Sequence, residues 1–123
     1  MKFIVDRQKW YRGHGQDTSR LLLPDGQRCC IGFVGQQCGI SDADLINMPS
    51  IASTSVAEKF PAWMQTPNAQ DIHRAYNIND SRRLTYVERE LQLKALFSKH
   101  GDEIEFISVI EKLAEPETTE ETR

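Results

Sequence analysis

The most constraining stretch of this chain is Arg28 to Gly39, Arg-Cys-Cys-Ile-Gly-Phe-Val-Gly-Gln-Gln-Cys-Gly. From Ile31 onward it reads as a short apolar helix in which Gly32 and Gly35 permit close packing and Gly39 takes the left-handed position that ends a helix. Two interior glycines weaken such a helix on its own. Immediately upstream, Arg20-Leu21-Leu22-Leu23, then Pro24-Asp25-Gly26-Gln27, then Arg28-Cys29-Cys30 reads as strand, turn, strand. Pro presets φ while Asp and Gly suit the later turn positions, so an antiparallel hairpin should lead into the helix.

The flanking sequence supplies the other elements. Lys2 to Val5 can start a strand, and Asp6 to Gly15 suits a turn or a short helix ending in a loop. Ser41-Asp42-Ala43-Asp44 can cap a short helix that Pro49 ends, and Ser55-x-x-Glu58 is a capping box that Pro61 cuts short. Residues 47–67, with three prolines, should be irregular and anchored to the core by Trp63 and Met64. Asn68 can cap a helix carrying Ala69, Ile72, Ala75 and Tyr76, with a turn over Asn77-Ile78-Asn79-Asp80-Ser81. Thr85-x-x-Glu88 opens the clearest helix, which Gly101 closes after His100, with Glu90 and Lys94 as an i,i+4 pair. Its apolar residues Tyr86, Val87, Leu91, Leu93, Leu96 and Phe97 spread over more than half the circumference, as in a helix covered on more than one side. Glu103-Ile104-Glu105-Phe106 alternates like a strand, and Ser108-x-x-Glu111 can cap a last helix running to Ala114. Residues 115–123 hold four Glu and no apolar side chain, as in a disordered acidic tail. The expected fold is α+β: a short antiparallel hairpin or small sheet against four to five helices, forming one compact domain over residues 1–114.

Composition narrows the function. With 15 basic and 18 acidic residues in 123, the net charge of −3 argues against a protein that coats nucleic acid, and duplex is a poor partner. No apolar run approaches a membrane span, and Asp6 interrupts any leader core. Cys29, Cys30 and Cys38 are odd in number and poorly spaced for bridges, which fits free thiols in a reducing cytoplasm. The cysteines and the scattered His14, His73 and His100 lack zinc spacing, so no metal is expected. Arg12-Gly13-His14-Gly15 lacks the pattern of a phosphate loop, and no cofactor is expected.

Two groups of residues carry candidate chemistry. Cys30 stands where a helix begins, the position at which the helix dipole lowers a thiol's pKa. The segment Cys30-Ile31-Gly32-Phe33-Val34 resembles the nucleophile segment of the NlpC/P60 cysteine peptidases, departing from it where Cys29 replaces an aspartate and Ile31 a serine. That resemblance implies a thiol-dependent hydrolase, with His73 or His100 as base. The second group is Arg7, Lys9, Trp10, Tyr11, Arg12 and Arg20, a basic and aromatic mix suited to binding or sequestering a nucleotide or to meeting an acidic protein face. Its structural counterpart is simpler: Trp10 and Tyr11 pin the N-terminal segment to the core while the charges stay in water.

Arg20-Leu21-Leu22, Gly26 through Phe33 with its Cys-Cys-Ile-Gly segment, and Asn79-Asp80 ahead of a charged helix together resemble a widespread group of small phage and prophage proteins. No activity accompanies that group. The resemblance implies a phage setting, with the cysteines as packing residues of a shared hairpin–helix unit. The leading expectation is a phage-encoded accessory protein that binds a host protein, with inhibition of an antiviral defence system as the specific form.

Overall fold

In the computed structural model, residues 1–13, 20–65 and 70–108 are described. The order is β1 (Lys2–Asp6), α1 (Cys30–Gln37), α2 (Asp42–Leu45), three single 3₁₀ turns (Ile51–Ser53, Ala57–Lys59, Ala62–Met64), α3 (Gln70–Asp80), α4 (Tyr86–Lys99) and β2 (Glu103–Ile107). The expected last helix from Ser108, the acidic tail, His14, Gly15 and the Asn68 cap lie partly or wholly outside the described residues. The architecture is α+β, but its sheet differs from the expected one. β1 and β2 pair in parallel from opposite ends of the sequence, with Phe3 opposite Ile104 and Val5 opposite Phe106. Both strands alternate in burial, so Phe3, Val5, Ile104 and Phe106 enter the core. Two half-buried strands marked by the same alternation find each other across nearly the whole chain.

The predicted hairpin is a turn without a ladder. Gly26, at φ 93°, closes it by donating to Leu23 O at 2.9 Å, and Leu23 N–H reaches Gln27 O at 2.8 Å. Beyond that the arms share one further bond, Cys29 N–H to Arg20 O at 3.1 Å, and otherwise pair elsewhere: Leu22 bridges Ile46 and Arg28 bridges Trp10, each in parallel. Leu21 and Leu22 are both buried, so this arm has no solvent face and cannot alternate as a hairpin strand does. It crosses α1 instead. The position of a Cβ on Gly32 would lie 1.8 Å from Leu21 O, so glycine is what allows the crossing.

α1 begins one residue before the expected Ile31 and ends at Gln37, just ahead of Gly39, whose φ of 86° lets Ile40 N–H return to Gly35 O at 3.1 Å. It lies along β1, and the Gln37 amide bonds both Ile4 N–H (2.8 Å) and Ile4 O (2.7 Å), taking the place of a neighbouring strand. The irregular stretch after α2 is anchored as expected, with Met64 fully buried and Trp63 edge-on to Phe97. α3 runs through Asn77–Asp80, where a turn was expected, because Ile78 and Asn79 face inward. The Thr85–Glu88 capping box opens α4. Glu90 turns away from Lys94 and takes the Arg7 guanidinium in two bonds, at 2.8 and 2.9 Å.

Candidate functional site

Cys30 sits at the start of α1, as the sequence implied, but entirely inside the core beside Cys29. All three cysteines are free thiols. Burial pushes Cys29 up to about 12 and Cys30 well above the ordinary thiol range, overriding the backbone N–H groups that favour a thiolate. Both are therefore neutral at pH 7. Among the described residues no base is joined to them. His73 is exposed on α3, its ring 6.3 Å from that of Tyr76. His100 gives its Nε2 to Asp71 at 2.7 Å and stacks on Trp63 at 4.2 Å, a contact that also draws on Asp102 through Trp63 Nε1 at 2.9 Å. The hydrogen bond from His100, then that from Lys99, holds the Asp71 carboxyl below its usual range. Among the described residues no group of three His, Cys, Asp or Glu side chains is placed to hold a metal ion.

What the thiol segment borders is a buried polar hub. Asn79 Oδ1 accepts from Trp10 Nε1 at 2.7 Å and from Cys30 N–H at 3.0 Å. Its Nδ2 donates to Tyr11 O at 3.0 Å and Asp80 Oδ1 at 2.9 Å. Beneath it, Arg89 of α4 donates from Nη1 to Asn79 O at 2.7 Å and Gly13 O at 3.0 Å, and burial lowers the pKa of its guanidinium. Asp80 Oδ1 also accepts Gly13 N–H at 3.2 Å. One side chain thus ties the N-terminal segment, α1 and α3 together, and Arg89 adds α4. Buried polar groups of this kind are costly unless satisfied, which makes the hub a determinant of how these segments are placed.

The hub disperses the expected binding cluster. Trp10 is buried, packed on Phe106 at 4.7 Å, and presents no face to a base. Arg7 belongs to Glu90, and Arg20 reaches Asn47 O at 3.3 Å. Lys9 borders a cleft against Arg28 and α1. Arg12 lies over the rings of Trp10 (4.9 Å) and Tyr86 (4.0 Å), carrying positive charge to the start of α4.

There the structure exposes what sequence placed in a core. Leu93, Leu96, Phe97 and Arg89 face inward, whereas Tyr86, Val87 and Leu91 are 45%, 66% and 60% exposed. Val87 and Leu91 stand four residues apart on one face, roughly opposite Leu93 and Leu96. Exposed Arg82 and Arg83, together with Arg12 on Tyr86, put basic charge at the N-terminal end of α4. The apolar surplus of α4 was visible in the sequence, but its meaning was inverted. Asn79 and Arg89 were missed because Asn-Asp is a turn signal and an arginine in a charged helix is ordinarily a surface residue.

No described helix is long and apolar enough to cross a membrane. Comparison of the chain with protein-family models, with curated proteins and with solved structures finds no match.

Proposed function

We propose that this chain is a binding protein whose α4 face, built on Val87 and Leu91, docks onto a host protein. The observation that carries the reading is the pair Val87 and Leu91, two large aliphatic side chains held in water at one helical turn's spacing. The basic groups beside them favour a partner surface that is apolar at its centre and acidic at its rim. The sequence resemblance to phage and prophage proteins supplies the setting: an accessory protein in the bacterial cytoplasm, with a component of an antiviral defence system as the partner. The buried neutral thiols and the separated histidines favour binding over thiol catalysis.

The test compares wild type with the V87D/L91D double variant for retention of host proteins, alongside thermal unfolding and solution mass. Both positions are exposed, so Tm should stay within about 2 °C, whereas partner retention should fall by about tenfold or more. The reading is overturned if no stoichiometric partner is retained, if the double variant retains it equally, or if wild type is a dimer that the substitutions split.

A further inference from the structure

A cleft of about 580 Å³ opens between β1, the Pro24 turn, α1 and α2, apart from the α4 face. Its walls include Ile4, Leu22, Phe33 and Ile46, and its polar lining includes Arg28 and Lys9. Arg28 is only 7% exposed. Its Nη2 bonds Asp42 Oδ1 at 2.9 Å, while Nη1 is buried without a hydrogen-bond partner. A buried guanidinium nitrogen without an acceptor is costly, and Asp42, whose side chain is 69% exposed, is a loosely held counterion. Lys9 is not in an ion pair among the described residues.

We propose that this cleft binds a small carboxylic acid with an aliphatic body. The acid's carboxylate replaces Asp42 on the Arg28 fork, where a guanidinium can give two parallel bonds to one carboxylate, and Lys9 adds charge at the rim. The hydrocarbon lies along Ile4, Leu22, Phe33 and Ile46. A monoanion fits better than a phosphate because Asp6 and Asp42 also line the cleft and would repel a dianion. The volume is of the size that takes small ligands.

Octanoate, butanoate, octanol and octyl phosphate are the probes, titrated into the full chain while backbone amide signals are followed by NMR. Octanoate should give saturable shifts at Leu23, Arg28, Phe33 and Gln36, binding more tightly than butanoate, octanol or octyl phosphate. Asp42→Asn removes the internal competitor and should tighten octanoate by about tenfold, and Lys9→Ala should weaken it severalfold. These two side chains are on the surface, so the test does not depend on a variant of buried Arg28. The proposal fails if octanoate gives no saturable shift at millimolar concentration, if octanol or octyl phosphate binds as well, or if Asp42→Asn leaves the affinity unchanged.

Discussion

Replacing Gly32 by alanine should leave the chain largely unfolded. A Cβ there would lie 1.8 Å from Leu21 O, 2.7 Å from Leu21 C and 3.0 Å from Arg28 Cβ. The first two are backbone atoms, and the Leu21 segment is fixed by Leu21 N–H to Met48 O at 2.8 Å and by the Leu22–Ile46 bridge. Relief requires separating this segment from α1, so the cost should exceed the usual ~1–3 kcal/mol of overpacking. That is a large part of the ~5–15 kcal/mol that holds a domain together. Gly35→Ala is the internal comparison: its Cβ meets the Phe60 ring at 2.9 Å and Leu45 Cδ2 at 3.1 Å, side-chain atoms that can move. Denaturant unfolding should therefore rank wild type above Gly35→Ala and both far above Gly32→Ala. A Gly32→Ala protein as stable as Gly35→Ala would contradict the packing described for α1.

Asn79→Ala should be nearly as damaging, for a different reason. It removes the acceptor of Trp10 Nε1 and Cys30 N–H and the donor to Tyr11 O and Asp80 Oδ1. Trp10 and Cys30 are themselves buried, so their donors gain no water in exchange. At about 1–3 kcal/mol for each of these two buried donors left unpaired, the loss should reach roughly 2–6 kcal/mol by equilibrium unfolding. Asn79→Asp keeps the Oδ1 acceptor but turns the donor toward Tyr11 O and Asp80 into a second acceptor beside a carboxylate, so it should not rescue the fold. A loss below about 1 kcal/mol for Asn79→Ala would mean that the hub does not hold these segments together.

The local signals of this fold were legible in the sequence, and the long-range pairings were not. Thr85 and Glu88 announce α4 because a capping box is complete within four residues. Gly39 ends α1 for an equally local reason. The Pro24–Gly26 turn also forms, yet the arms it joins pair with Ile46 and Trp10, because the consecutive burial of Leu21 and Leu22 depends on what crosses α1. The parallel sheet is a choice of partner, and the alternation that marks β1 and β2 does not say which strand lies beside which. The candidate site follows the same division. Val87 and Leu91 were visible as excess apolar surface on α4, but only the three-dimensional arrangement shows that they stay exposed. The Cys30 resemblance identified the start of a helix and could not show that the thiol lies buried in the core.

Whether Cys29 and Cys30 pack or react decides between a binding protein and a thiol enzyme, and native thiol labelling at neutral pH, read by intact mass and peptide mapping, measures it directly. Cys29 and Cys30, with their pKa values raised by burial, should be labelled only as fast as the protein unfolds, while partly exposed Cys38 reacts first. Labelling of Cys30 in the folded state faster than a small model thiol would contradict the packed core and restore Cys30 as a nucleophile.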